Sequence, residues 1–173
     1  GFIAQSIPLY LSGNTNFLKM SSYTTISELE NLGILVRTQF SVIDIDMTNK
    51  VLKLVDLVEN SESEDHYDKL ILAMASYPSL PLVQGDFRDK LFIIKNYADA
   101  EKIKRFMRTS RSVIIIGGGA IGVEIAQLMN NAKIETTLIH ASDNILNRYL
   151  DEEVSEDVQK TLALRGIDIV TNS

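Results

Sequence analysis

Residues 111–128 read RSVIIIGGGAIGVEIAQL. Four β-branched residues, Val113-Ile114-Ile115-Ile116, run straight into Gly117-Gly118-Gly119-Ala120-Ile121-Gly122. The apolar run suits a buried strand, and the residues after the glycines open a helical pattern over 119–131. The string satisfies G-x-G-x-x-G, and a strand before it with a helix after it is the setting a dinucleotide site requires. Gly117 permits the tight turn out of the strand. Gly119 lacks a Cβ, so the backbone can approach a pyrophosphate, and Gly122 lets the helix pack close to the sheet. The N–H groups and the positive end of the helix dipole would meet the phosphate charge. The alternative is a turn that holds nothing, although three glycines at this spacing cost backbone order unless something needs the room.

Working outward, the pattern continues as a strand at 135–139, a helix at 152–164 and a strand at 167–170, with an amphipathic helix at 98–107 ahead of the motif. Alternating strands and helices imply a parallel sheet with right-handed crossovers. The fold class expected for this part is α/β, a Rossmann-like parallel sheet. The earlier part reads differently. A short helix is centred near Leu9 to Leu11, and a second spans 21–31. Thr24 or Thr25 can cap the second helix, Glu28 stands where a capping box wants an acid, and Gly33 ends it. Strands follow at 40–46 and 51–58, then an acidic tip at 59–65 read as a solvated hairpin loop, then a third strand at 69–74. This is an α+β segment with a β-meander. Pro78, Pro81 and Gly85 punctuate a junction between about 81 and 97.

A carboxylate about twenty residues past such a motif usually holds the adenine ribose hydroxyls. That place belongs to His140 here. A neutral imidazole can accept one hydroxyl hydrogen bond, a protonated one can meet a 2′-phosphate, and the plainer reading is an exposed strand-end histidine with no partner. No Arg or Lys follows closely, which favours NAD(H) and leaves NADP open. Glu124 sits in the first turns of the helix, where favourable pairing with the helix N-terminus is the plain reading.

The 173 residues carry 23 acidic and 17 basic side chains, a formal charge of −6. Nucleic acids and anionic membrane surfaces attract basic patches, so neither is an expected partner. No apolar run approaches the length of a membrane span. With no cysteine in the chain there is no disulfide, thiolate metal site or cysteine nucleophile, and no metal site is expected. A cytoplasmic location fits. The chain starts at Gly1 and ends at Ser173 just past a strand-like run, which reads as a piece of something longer.

Gly117 to Glu124, followed by Asn144-Ile145-Leu146-Asn147-Arg148-Tyr149-Leu150-Asp151, resembles the pyridine nucleotide–disulfide oxidoreductase family, in its NADH oxidase, NADH peroxidase and coenzyme A–disulfide reductase branch. Phe2 to Tyr10 is similar to the segment that carries that branch's redox cysteine, and Tyr67 to Ala73 to the strand leading to its second flavin-domain motif. The resemblance implies a partial FAD-domain-like segment over 1–97 and a partial NAD(P)-binding Rossmann domain over 98–173. It implies FAD in the complete protein, a nicotinamide nucleotide as the partner of this part, and leaves a homodimer open. It places Glu124 near nicotinamide and flavin, and Tyr149 against the adenine, where ordinary packing is the alternative. The cofactor-binding set is then Gly117, Gly119, Ala120, Ile121, Gly122, Glu124, His140 and Tyr149, with no catalytic residue in the chain. Three positions depart from the family. Gln5 stands at the redox cysteine and can form neither a sulfenic acid nor a mixed disulfide. Met74-Ala75 stands where threonine-glycine is usual, and Ala120 where an aromatic gate often sits. The function implied is hydride transfer from nicotinamide to flavin without the cysteine. A non-catalytic nucleotide-binding module, or a truncated product lacking FAD, is the alternative.

Overall fold

The structure, a computed structural model, describes residues 6–14, 23–74, 76, 79–80 and 90–173. Gln5, Ala75, Pro78 and Pro81 lie outside the described residues, and with them the cysteine position and half of the threonine-glycine position. The chain forms two compact units. One takes in residues 6–14, 23 and 90–173 of the described set, the other 24–74, 76 and 79–80.

The first unit holds the glycine motif. Its sheet consists of β4 (Ser112–Ile116), β5 (Glu135–Ile139) and β6 (Ile167–Val170), parallel throughout and in the order β4-β5-β6. Helices α4 (Ala120–Asn131) and α5 (Glu152–Leu164) make the two crossovers. This is the α/β parallel arrangement that the alternation predicts. Helix α4 sits in the middle of the apolar packing. Ile125, Leu128 and Met129 join Ile7 and Leu11 of α1 (Ile7–Leu11) and Ala100 and Ile103 of α3 (Tyr97–Met107). Val123 and Ala126, on another stripe of the same helix, join Leu138, Ile145, Leu162 and Ile167. Two stripes on one helix are what an all-round apolar sequence allows. Compact packing and the functional division expected at 97/98 therefore cut the chain at different places, because α1 packs with the motif-bearing helix.

The VIII run is not buried as expected. Ile114 is 64% and Ile116 55% exposed, while Val113 and Ile115 pack against the helices. The strand is at the edge of the sheet and, among the described residues, only one of its faces is covered, so its side chains alternate rather than all going inside.

The second unit contains α2 (Ile26–Asn31) and an antiparallel meander of β1 (Phe40–Asp46), β2 (Val51–Asp56) and β3 (Ser61–His66). Thr25 caps α2 in a full capping box with Glu28, and Gly33 follows at φ +80°. The first residues assigned to this helix, from 21, precede the cap. The third strand is not at 69–74, as expected, but at Ser61–His66, mostly within the segment read as an acidic loop. Asp56 accepts from the Val58 and Glu59 N–H groups at 2.8 and 3.1 Å, and Asn60 takes φ +53°. That closes a tight turn at 57–60 and sends the acidic residues up the open edge of the sheet, where both strand faces meet water and no apolar alternation is needed. Among the described residues no helix is long and apolar enough to cross a membrane.

Candidate nucleotide-binding site

The site is built where β4 and β5 end. Gly117 leaves β4 at φ +111°, a conformation that side chains rarely adopt, and its N–H donates to the Ile139 carbonyl at 2.8 Å. That bond extends the β4–β5 ladder by one step, so the turn out of the strand begins from a fixed point. Gly122 stands where a Cβ would lie 1.8 Å from the Gly117 carbonyl oxygen. The helix can press against the turn only because this residue has no side chain. Gly119 is different in kind. It is the N-cap of α4, with extended backbone, and among the described residues a Cβ there would meet nothing within 4 Å. None of the described residues requires a glycine at this position. The open space beside it is what a backbone that receives a ligand needs.

The entrance of α4 carries the donors. The first helical bond runs from the Val123 N–H to the Gly119 carbonyl at 3.0 Å, and Gly119 supplies no capping side chain. The N–H groups ahead of Val123 are thus placed at the positive end of the helix without acidic residues in the first turn. Glu124 lies beyond that first turn and is exposed, so pairing with the helix terminus does not account for it. Ala120 is exposed and Ile121 is 62% exposed at the same entrance. A small residue at 120 leaves the approach to the turn open.

The loop after β5 closes the other side. Gly118, to which the sequence reading gives no role, is buried and is held through both its N–H and its carbonyl. Its N–H donates to His140 Nδ1 at 3.1 Å, and its carbonyl accepts from the Leu146 N–H at 2.7 Å. A Cβ on Gly118 would lie 2.7 Å from Ile145 Cγ2 and 2.9 Å from His140 Cγ. Ile145 is fully buried; its N–H donates to Gln159 Oε1 at 2.8 Å and its carbonyl accepts from the Ser155 hydroxyl, both on α5. Asp151 caps that helix through the Val154 N–H at 3.1 Å. Gly118, Ile145, Leu146, Ser155 and Gln159 were not legible as site residues. Their part depends on a meeting of two loops far apart in sequence, and the only available hint was a fourth glycine inside the motif.

His140 closes β5 as expected, its own N–H donating to the Val170 carbonyl at 2.8 Å. The plain reading of an exposed, partnerless histidine does not hold, because the ring is engaged with Gly118. An Nδ1 that accepts a hydrogen bond carries no proton, so in this arrangement the ring presents no charge to a 2′-phosphate. Tyr149 follows in the same loop and is 69% exposed, so ordinary packing does not explain it either. Glycines, helix entrance, His140 and Tyr149 all belong to the carboxyl ends of the strands or the loops that follow them, the side on which ligands of open parallel sheets bind. A hollow of about 560 Å³ opens by Asn130, Asn131, Lys133, Ile134, Glu135 and Arg165. It lies at the opposite end of the strands, mixes both signs of charge, and has no connection with the motif. Among the described residues no group of three or more His, Cys, Asp or Glu side chains could hold a metal ion.

Residues 4–173 match the pyridine nucleotide-disulphide oxidoreductase family. The chain is 29% identical over 168 residues to an NADH oxidase of Enterococcus faecalis, covering 97% of this chain and 38% of that protein. It is 32% identical over 142 residues to an NADH oxidase of Methanocaldococcus jannaschii, covering 81% of this chain and 31% of that one. Among solved structures, the water-forming NADH oxidase from Lactobacillus brevis bound to NADH superposes with a TM-score of 0.93 at 26% identity, over 99% of this chain and 38% of the other. The chain thus spans about two fifths or less of the length of these relatives. With the match running nearly end to end and the glycine turn built as the family's motif requires, this chain belongs to the pyridine nucleotide-disulphide oxidoreductase family.

Proposed function

We propose that this chain is the nicotinamide-nucleotide-holding part of a flavin- and NAD(P)H-dependent oxidoreductase of the NADH oxidase type, working in the cytoplasm. The observation that carries the reading is Gly119, a helix N-cap with no side-chain cap and free space where its Cβ would be. The pyrophosphate lies across Gly117, Gly119, Ala120, Ile121 and Gly122, with the N–H groups of the α4 entrance as donors. The adenosine end lies toward His140 and Tyr149, and the exposed ring of Tyr149 stacks on the adenine. Glu124 faces the nicotinamide end. NAD(H) is the preferred form, since the imidazole at 140 brings no charge to a 2′-phosphate. In the whole protein FAD takes up the hydride that the nicotinamide gives. The chain's own residues bind and orient the donor. Gln5, at the position of the family's redox cysteine, has no thiol to pass electrons on, which leaves oxygen or an outside acceptor.

The test uses Gly119→Val. The backbone there is extended, so a valine folds without strain, and its methyl groups fill the space meant for the pyrophosphate. NADH titration by calorimetry should show the dissociation constant rising at least about tenfold, the factor set by ~1.4 kcal/mol. Unchanged binding in a folded variant leaves the motif as a turn and nothing more. A second reading, a nucleotide-binding module without catalysis, is favoured by Gln5 and by Met74 in the flavin motif. A colourless protein that still binds NADH supports it; a yellow protein with flavin absorbance supports the oxidoreductase.

A further inference from the structure

We propose that His140 is a positioning residue that shapes the pyrophosphate turn by holding the Gly118 N–H, rather than a residue that reaches the nucleotide itself. The inference rests on the dinucleotide reading of the preceding section and deepens it. The motif offers a run of backbone donors, and they are not equivalent. Gly117 donates to Ile139 and Gly118 to His140, so both are turned inward to β5 and its end. The donors that remain for a phosphate are those of the α4 entrance from Gly119 onward. His140 thereby divides the turn into an inward half, fixed by the protein, and an outward half, aimed at the ligand.

The geometry is closed from both sides. With its N–H on His140 and its carbonyl on Leu146, Gly118 has one hydrogen bond on each of its two flanking peptide units, and Leu146 stands at φ +57°. The ring and Ile145 occupy the volume a Gly118 side chain would need, so His140 also fixes which residue can stand there. Packing alone does not explain an imidazole at this point. Its Nε2 is buried and, among the described residues, has no hydrogen-bond partner. An apolar side chain of similar size would fill the space without burying an unsatisfied N–H. What the imidazole provides and an apolar ring does not is the acceptor on Nδ1. A neutral ring that accepts at Nδ1 carries its hydrogen on Nε2, and that tautomer is a direct consequence of the proposal.

Two substitutions and one spectrum test it. His140→Ala removes the acceptor. His140→Asn keeps one, because its side-chain oxygen falls near the place of Nδ1. In the alanine variant the Gly118 amide should exchange with solvent faster than in the parent. The NADH dissociation constant should also rise about fivefold, the factor that one neutral hydrogen bond of ~1 kcal/mol commands. The asparagine variant should restore both. A parent-like Gly118 exchange rate or a parent-like dissociation constant in His140→Ala overturns the proposal, as does an asparagine variant no better than alanine. Should neither variant fold, the parent decides. The chain has two histidines, and His66 is exposed on β3, so nitrogen–proton correlation spectra resolve the pair. His140 must appear as the Nε2–H tautomer, and an Nδ1–H tautomer overturns the proposal. If the parent takes up no NADH, the dinucleotide reading fails on its own. The exchange comparison and the tautomer then still decide whether His140 fixes the turn.

Discussion

Two of the motif's glycines exclude a side chain for different structural reasons, and a third leaves room for one. Gly117 needs φ +111°, Gly122 would drive a Cβ to 1.8 Å from a backbone oxygen, and Gly119 has open space around it. Gly122→Ala should therefore destabilise the motif-bearing unit by about 3 kcal/mol or more, since the clash is with backbone that cannot move without pulling α4 off the sheet. Gly119→Ala should stay within about 1 kcal/mol of the parent, the scale of an altered N-cap. Denaturant midpoints of the two variants check the contrast; equal midpoints contradict it. The sequence pattern was enough to assign the turn to Gly117 and the close packing to Gly122. It was not enough for Gly118, whose need for glycine comes from Ile145 and His140 closing on it. Nor could it tell that His140 would turn its ring toward the Gly118 N–H.

At the scale of elements, α1 is tied to α3 by polar contacts at the margin of their shared apolar packing. Lys104 Nζ donates to the carbonyls of Tyr10 and Leu11, at 2.8 Å each, and so satisfies the open end of α1. Its burial holds the ammonium below the usual lysine range. The Tyr10 hydroxyl donates to Glu101 Oε1 at 2.5 Å, and that bond first, then burial and the Glu101 charge, push the phenol up to about 12. A group whose folded value is raised contributes fully below its ordinary value and loses its contribution as pH climbs through the folded one. The Tyr10 tie should hold to about pH 10 and be lost between there and about 12. Absorbance titration of tyrosinate should show a phenol ionising near 12, and Glu101→Ala should move it down. A curve that the substitution leaves unchanged contradicts the tie. The elements from 112 to 170 follow the sequence closely, because strand and helix periods are distinct there and glycine or a capping Asp marks the ends. The meander was misread at its third strand, since Ser61–His66 pairs through its backbone and has no apolar face to advertise itself.

For the whole molecule, each unit has its own logic. The unit with the motif is organised around α4, which packs on both sides and presents its N-terminus at the end of the sheet. The meander has one buried apolar residue, Leu54, among those described, and its outer strand is acidic. The family and the topology of the parallel sheet agree, and the carboxyl edge is where open parallel sheets bind their ligands. The central claim is that the chain holds a nicotinamide nucleotide by the entrance of α4. Its most direct test is the set of backbone amide shifts on addition of NADH to the whole chain. The account requires changes concentrated at Gly119 to Gly122 and at Tyr149, with His140 and Gly118 moving less. An absence of change there, or changes gathered instead at Asn130, Lys133 and Arg165, contradicts it.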